Sequence, residues 1–452
     1  MSDTADLLEL ARRAVDAARK GESVEAYASW GRETEVKVYA GEVEALVSAE
    51  SRGVGVRVIS DGKLGYAYAA DPDPGELAEV VEQARTNAAL STADDGNVLP
   101  GPQPIEPLPG ILLPDLLAAT PEEKVELAFA IERACREADP RVKGVESAQY
   151  GEGLGRVAVV STTGVEASAE RGDCWAAAVA LASDGGAETQ TGFGLQIARR
   201  PADLAVEAAG REAAERGVRL LGARKPPTGR MPVMLDPFAA ASFLGVVTAG
   251  LSAESVLKGR SLFAGRIGES VASEHVRLVD DGRELAGPGA EPFDGEGVPT
   301  RRTPLIEDGI LRGFLHNTYT AARMNAVSTG NASRAGFKST PGVSTTNLIL
   351  SPGTETPEKL AAGVGRALLV QDLIGVHSGA NPISGDFSVG VNGMILDGGV
   401  PAEPVREATI ASTILEILTN VIAVGNDLRF LPFGGSIGTP TILIGEMTVA
   451  GT

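Results

Sequence analysis

Hydrophobic and polar positions alternate in two similar series along the first half of the chain. Residues 4–19 place leucine, alanine and valine on one side, as an amphipathic helix does. Strand patterns follow between residues 24 and 69, and a helix is predicted over residues 74–90. Residues 120–222 repeat this order, beginning with a capped helix start at Thr120. We interpret the repeat as a duplicated helix, meander and helix unit, with chance similarity between two β-rich halves as the alternative.

Segments rich in proline and glycine separate the predicted regions. Residues 99–114 contain six prolines, which exclude helix interiors and central strands and therefore predict an extended linker. A second boundary, GARKPPTG, covers residues 222–229. We predict an α+β protein with a duplicated β-meander and helix N-terminal half and a mixed β-rich C-terminal domain. The predicted boundaries are a first block at residues 1–98, a Pro-rich linker at 99–119, a second block at 120–222 and a C-terminal domain at 229–452.

The C-terminal region combines short strands with helices. Asp236 is placed to cap a helix that continues through Val247, and a further helix is predicted over residues 409–424. Between them lies HSGANPISGDFSVGVNGMILDGG, residues 377–399, which contains six glycines. Alternation around Phe387 predicts a strand framed by glycines, with polar groups at its mouth.

The balance of charge argues against anionic partners. The 452 residues include 40 Lys and Arg against 60 Asp and Glu, a formal charge of −20. Such a surface repels phosphate backbones and anionic lipid, so nucleic-acid and membrane binding are disfavoured. No signal-peptide core or apolar span is present, and we expect a cytoplasmic protein. Cys135 and Cys174 are expected to be small buried hydrophobes.

Histidine spacing argues against a zinc site made by this chain. A zinc peptidase helix needs two histidines one turn apart with a glutamate between them. The histidines here are His275, His316 and His377, and no two are close in sequence. A site assembled from three distant histidines is the alternative. We therefore predict no metal and no cofactor in this chain.

Two further patterns carry weaker chemical signals. Residues 434–438 match the G-x-S-x-G serine motif, but a strand rather than a helix is predicted to follow, which favours a glycine-rich turn. Asp386 and Asp427 lie in polar loops near Asn381 and Asn426 and could form an acid/base pair. The alternative is that these side chains bond to their own backbone.

Five short motifs follow one another in the C-terminal domain: Met234-Leu235-Asp236-Pro237, Ala239-Ala240-Ala241, Gly259-Arg260-Ser261, Gly385-Asp386-Phe387-Ser388 and Gly425-Asn426-Asp427. In this order they resemble the TldD/PmbA family, and the resemblance covers nearly the whole chain but is looser in the first two blocks. In the TldD branch of this family an H-E-x-x-x-H helix and a later cysteine bind zinc. The corresponding helix here, residues 236–252, has neither histidine nor glutamate, and the loop at residues 430–441 has no cysteine. The chain therefore resembles the PmbA (TldE) branch, which lacks the zinc motif.

The resemblance implies a specific assembly. It implies a heterodimer with a TldD-type subunit, which would carry the zinc, and a peptide substrate held as an added strand. The complex would degrade or trim unfolded or modified peptides, in some members during natural-product maturation. This chain would then be a non-catalytic subunit. The residues expected to line a substrate or partner groove are Asn381, Ser384, Gly385, Asp386, Phe387, Asn426 and Asp427.

Two alternatives remain open at this stage. The first is a stand-alone hydrolase with a metal-free site around His316, His377 and Asp386. The second is a binding or scaffold module without enzymatic function. For the glycine-rich stretch we expect positioning of a peptide or partner backbone rather than bond-breaking.

Overall fold

The structure, a computed structural model, describes residues 4–186, 188–433 and 435–451. Its first half is one antiparallel sheet of six strands in the order β3-β2-β1-β4-β5-β6. The strands are β1 (Ser23–Tyr39), β2 (Glu42–Ser60), β3 (Lys63–Ala70), β4 (Val142–Ser161), β5 (Glu166–Ala182) and β6 (Gln190–Ala198). Patterns read as separate strands, such as 24–30 and 35–40, are parts of single long strands. The two predicted blocks meet at the β1–β4 pairing and share this sheet.

Helices cover one face of the sheet. They are α1 (Thr4–Asp16), α2 (Pro74–Leu90), α4 (Pro121–Ala138) and α5 (Val206–Arg219), with the short α3 (Pro114–Ala118) and a 3₁₀ turn (Pro201–Asp203) beside them. The capping box predicted for α4 is present, because the Thr120 hydroxyl accepts from the Glu123 amide at 3.2 Å. Cys135 in α4 and Cys174 in β5 are buried free thiols, as expected.

The C-terminal half contains a closed barrel and a second sheet. The barrel joins β16-β15-β14-β7-β20 and closes by pairing of β16 with β20, while β17 pairs with β20 alone. These strands are β7 (Gly229–Leu235), β14 (Arg366–Ile374), β15 (Asp386–Asp397), β16 (Val400–Thr413), β17 (Val421–Val424) and β20 (Ile442–Ala450). The second sheet has the order β10-β9-β8-β13-β19-β18. Its strands are β8 (Leu278–Asp281), β9 (Arg302–Glu307), β10 (Ile310–Leu311), β13 (Asn347–Leu350), β18 (Arg429–Leu431) and β19 (Ser436–Thr439).

Smaller elements complete this half. β11 (Ala332–Ser333) and β12 (Gly342–Val343) form a two-stranded ladder. The helices are α6 (Pro237–Gly250), α7 (Ala253–Leu257), α8 (Thr318–Met324), α9 (Pro357–Val364), α10 (Val376–Gly379) and α11 (Ile414–Thr419). The mixed α+β class with a β-rich C-terminal half agrees with the sequence prediction.

The helix predicted over residues 409–424 is wrong for most of its length. Thr409, Ile410 and Ala411 pair with β20 and close the barrel, and only Ile414–Thr419 is helical. Taken alone, the apolar residues between 409 and 424 have the spacing of a helix. Pairing with a distant strand nevertheless fixed the extended conformation, as tertiary contacts often do for β-branched residues.

The other face of the N-terminal sheet packs on the C-terminal half. A hydrophobic cluster joins Tyr27, Val159 and Val165 of the sheet region to Phe293 and Phe337 of the C-terminal half. No helix in the described part of the chain is long and apolar enough to cross a membrane.

Candidate functional site

The helix α6 starts at a buried cap and runs through the core. The Asp236 carboxylate accepts a hydrogen bond from the Ala239 backbone amide at 2.9 Å. It also forms an ion pair with Arg216, at 2.6 Å. Burial raises the pKa of Asp236, and the Arg216 charge opposes this rise. Arg216 belongs to α5, so the cap also joins the helical layer of the first half to the C-terminal half.

One side of α6 faces the loop in which the family's cysteine ligand was expected. A Cβ built at Gly245 would lie 3.1 Å from the Phe433 carbonyl oxygen, so the helix touches this loop. Thr248, Ala249 and Ser252 line an adjacent cavity of about 280 Å³. The structure thus brings together the two segments that the resemblance paired.

The residues at this place do not fit a zinc ion. Zinc takes thiolate, imidazole or carboxylate ligands, whereas α6 offers Gly245, Thr248 and Ala249 here. The one carboxylate that lines the cavity, Glu254, forms an ion pair with Lys258. Across the described residues, no group of three or more His, Cys, Asp or Glu is arranged to hold a metal ion.

A second cavity of about 280 Å³, here called the interdomain cavity, shares Ser344 and Thr345 with the first. Its walls come from both halves: the sheet supplies Tyr27, Gly155 and Arg171, and the C-terminal half supplies, among others, Glu291, Phe293, Arg334, Thr345 and Ser436. Arg171 and Glu291 approach to 3.6 Å. Burial raises the pKa of Glu291 to about 7 even though Arg171 lowers it.

A buried cluster of charges supports one wall of this cavity. Arg57 lies between Glu25 at 2.6 Å and Glu296 at 2.9 Å, and all three are at most 4% exposed. Arg334 pairs with Glu25 and stacks over Tyr27 with its guanidinium carbon 4.9 Å from the ring centre. Because these groups come from both halves, the cluster fixes the two halves relative to each other.

The polar groups of the glycine-rich stretch bond mainly to one another. The Asn381 side chain accepts from the amides of Ile383 at 2.9 Å and Ser384 at 3.2 Å. The Ser384 hydroxyl donates to Asp386 at 2.6 Å. Together with the exposed His377 in α10, these side chains line neither of the two cavities.

The buried members of the stretch support α6. Gly385 is buried with φ +85°, and its carbonyl accepts from the Ile414 amide at 2.7 Å. Phe387 packs edge-on against Phe243 of α6, with ring centres 5.4 Å apart. The strand β15 therefore forms part of the surface against which α6 packs.

Asn426 and Asp427 lie in the loop before β18. The Asp427 carboxylate accepts from the Thr441 amide at 3.0 Å and from its hydroxyl at 2.7 Å. The Asn426 side chain is exposed, and the backbone amide of Asn426 donates to the backbone carbonyl of Glu355 at 3.0 Å. Asp386 and Asp427 thus bond to different partners, while a role in binding a peptide or partner chain stays a prediction for this set.

The three histidines lie on separate elements. His316 is buried just before α8, where its backbone bonds to Thr329. Burial lowers the pKa of His316, and among the described residues its Nδ1 has no hydrogen-bond partner. His377 and His275 are exposed. The metal-free catalytic role considered for His316, His377 and Asp386 stays a prediction.

The serine motif leads into a strand, as its sequence predicted. Ser436 begins β19, and its hydroxyl donates to the Asn347 side chain at 2.6 Å. Gly434, the first residue of the motif, lies outside the described residues. Residues missed by sequence reasoning are Arg171, Glu291 and Thr345. The one available signal was the repeated Arg-Gly pair, Arg171-Gly172 echoing Arg52-Gly53.

The comparisons with known proteins cover most of the chain. Residues 24–88, 114–221 and 228–451 match, in this order, the PmbA/TldA metallopeptidase domain 1, central domain and C-terminal domain. The metalloprotease PmbA of Escherichia coli O157:H7 is 26% identical over 91% of this chain and 88% of its own length. A metalloprotease TldD homolog of Haemophilus influenzae is 29% identical, over 89% of this chain and 87% of its own.

Solved structures share the same fold. A protein of Thermotoga maritima described as a modulator of a DNA gyrase has a TM-score of 0.89 at 27% identity, over 98% of this chain and 99% of its own. TldE from Thermococcus kodakarensis has a TM-score of 0.89 at 24% identity, over 99% of this chain and the whole of its own. The three consecutive domain matches and these full-length alignments agree with the motifs seen in the sequence. The chain belongs to the PmbA/TldD metallopeptidase family.

Proposed function

We propose that this chain is the metal-free, TldE-like subunit of a heterodimeric TldD/TldE-type zinc metallopeptidase. The complex degrades or trims unfolded or modified peptides in the cytoplasm, with natural-product maturation as one setting. Family membership over all three domains supports the class of activity. The single observation that carries the subunit assignment is the face of α6, where Gly245, Thr248 and Ala249 offer no zinc ligand.

A cleft between the proline-rich linker and β5 supports binding of an extended peptide. β6 pairs only with the Cys174–Ala182 part of β5, so the preceding residues of β5 form a strand edge. At this edge the Gly172 amide donates to Ile111 of the proline-rich linker at 2.8 Å. A cleft of about 490 Å³ lies between the linker and Glu166–Glu170. A strand edge in a cleft binds a peptide through its backbone and tolerates many side chains.

In this assembly the zinc and the bond-breaking groups belong to the TldD-type partner. This chain completes the enclosure around the peptide and positions it. Asn381, Ser384 and Asp386 are exposed at the mouth of the glycine-rich stretch, where a partner or peptide backbone has access. Asn426 and Asp427 belong to the same proposed contact surface.

The test is co-expression with a TldD-type paralogue, followed by purification, metal analysis and a peptidase assay on an unfolded peptide. We expect the chains to co-purify, zinc to be bound by the complex and not by this chain alone, and chelator-sensitive hydrolysis only when both chains are present. Chelator-resistant hydrolysis by the isolated chain would favour the stand-alone hydrolase. If the two chains do not associate and neither needs the other for activity, the proposal is wrong.

A further inference from the structure

The interdomain cavity holds an arginine with unused bonding capacity. Arg171 extends from β5 over Gly155 and lines the cavity, and its side chain is 54% exposed to solvent. Among the described residues its ion-pair partner is Glu291 at 3.6 Å, beyond hydrogen-bond distance, and the charge of Asp173 on the same strand also acts on it. A guanidinium presents five N–H donors in a planar fork. Arg171 therefore offers donors to a ligand without giving up a bond inside the protein.

The other charged groups of the cavity are already bonded. Arg334 donates to Glu25, to the Gly295 carbonyl at 2.7 Å and to the Ser339 carbonyl at 3.0 Å. Asp294 accepts three backbone amides, from Glu296 at 2.9 Å, Val298 at 3.0 Å and Ala332 at 2.9 Å. Glu170 pairs with Arg156 at 3.2 Å. Arg171 and Glu291 are thus the pair left to meet a ligand.

We propose that the interdomain cavity binds the free carboxylate of a short peptide, with Arg171 as the residue that receives it. A carboxylate matches the guanidinium fork and forms two parallel charge-assisted hydrogen bonds with it. The volume of about 280 Å³ is at the lower end of the range for ligand pockets, so it suits a segment of a few residues.

Thr345, which the C-terminal half contributes to the cavity, offers a second polar contact. The Thr345 hydroxyl has no hydrogen-bond partner among the described residues, and it lines both this cavity and the one beside α6. A peptide whose carboxylate lies at Arg171 would pass this hydroxyl as it extends toward α6. Thr345 then donates to, or accepts from, the peptide backbone.

The site distinguishes a carboxylate from an ammonium group by its charge. The charged groups that act on Glu291 are Arg171, which belongs to β5, and Asp280, which belongs to β8. Tyr27 and Arg334 line the same cavity. With a pKa of about 7, Glu291 is largely protonated in mild acid, where the pair carries a net positive charge and the protonated carboxyl donates a hydrogen bond. Carboxylate binding therefore weakens as pH rises through 7 and Glu291 ionises.

Titration calorimetry on the purified chain, without any partner, tests the inference. The probes are N-acetyl-Ala-Ala as the free acid, its C-terminal amide, and N-acetyl-Ala-Glu-amide, which carries its carboxylate on a side chain. We expect at least one of the two acids to bind about tenfold or more tightly than the uncharged amide. Preference for the first acid assigns the site to a peptide C-terminus, and preference for the second assigns it to an acidic side chain.

Variants locate the binding. Arg171→Gln should abolish the preference for the acid, and Glu291→Gln should keep it while removing its decline above pH 7. Arg230→Gln is the matched control, because Arg230 also forms a long ion pair, 3.7 Å to Glu446, but on the barrel. Equal affinity for acid and amide, no binding of any probe, or a preference that persists in Arg171→Gln overturns the inference. The inference takes its ligand class from the proposed function, but no outcome here depends on a partner chain, so the two can fail separately.

Discussion

Single carboxylates of this acidic chain behave differently according to what surrounds them. Burial raises the pKa of Glu291 to about 7 and that of Asp280 to about 6. Asp139, in contrast, is partly exposed, and hydrogen bonds from Arg141 lower its pKa to about 2. Charge count alone does not reveal such differences, since they depend on desolvation and on the nearest cation.

The raised pKa of Glu291 predicts a specific pH dependence of stability. Between about pH 4.5 and 7 the folded state holds a proton on Glu291 that the unfolded state releases. The contribution of this residue to the free energy of unfolding is therefore fully present below about pH 4.5 and is lost as pH rises through 7. The test is urea unfolding at about pH 5.5 and about pH 8. The free energy of unfolding should fall less between these two pH values for Glu291→Gln than for the unchanged chain. An equal loss in both proteins would contradict the assignment.

Pairs of secondary-structure elements show the duplication most directly. The third strand of each repeat carries a glycine against the backbone of the helix that follows. A Cβ built at Gly65 of β3 would lie 2.0 Å from the Ala84 carbonyl oxygen of α2. At Gly192 of β6 the distance to the Ala213 carbonyl oxygen of α5 would be 2.1 Å. The same close approach of helix and strand thus occurs in both repeats.

This packing predicts that neither glycine tolerates a methyl group. Gly65→Ala and Gly192→Ala should each lower the free energy of unfolding by about 1–3 kcal/mol, because the helix must move away from the strand. Urea unfolding measures the effect. Gly153→Ala is the control: apart from the adjacent residues, no atom of the described part of the chain lies within 4 Å of a Cβ there, and the change should stay within about 0.5 kcal/mol. Similar changes at all three sites would refute the close packing.

The whole molecule is held together across its two halves by buried charge as well as by apolar contact. Arg57 on β2 bonds to Glu25 in its own sheet and to Glu296 in the C-terminal half. Glu296 in turn accepts from the Thr318 amide at the start of α8, at 2.8 Å. Removal of Arg57 would leave the Glu296 carboxylate buried without a cation among the described residues, while Glu25 would keep its ion pair with Arg334.

Arg57→Ala should therefore destabilise the protein by about 3–5 kcal/mol in urea unfolding. The control is Arg13→Ala. Arg13 pairs with Glu9, and both side chains are more than half exposed, so this substitution should lower the free energy of unfolding by less than about 1 kcal/mol. Limited proteolysis is the second measurement, because loosened halves expose the linker between the blocks. If Arg57→Ala costs no more than Arg13→Ala, the cluster does not fix the halves.

Some features of this protein follow from the sequence because they depend on neighbouring residues. The capping box at Thr120–Glu123 and the cap at Asp236 are local, and the structure contains both. The absence of zinc ligands on α6 could also be predicted, because zinc binds to only a few types of side chain, and these can be recognised in the sequence. The two meanders were visible through their repeated patterns.

Other features were decided only by the tertiary structure. Strand pairing between β1 and β4 and closure of the barrel by β16 join segments far apart in sequence, so no local pattern specified them. For the same reason the helix predicted over residues 409–424 became mostly strand. Arg171 and Glu291 are 120 positions apart, and only the packing of the two halves brings them into one cavity. The sequence by itself thus determined the repeats, the caps and the missing ligands, whereas the fold determined which charges are buried and which remain available to a ligand, since desolvation depends on all the surrounding atoms.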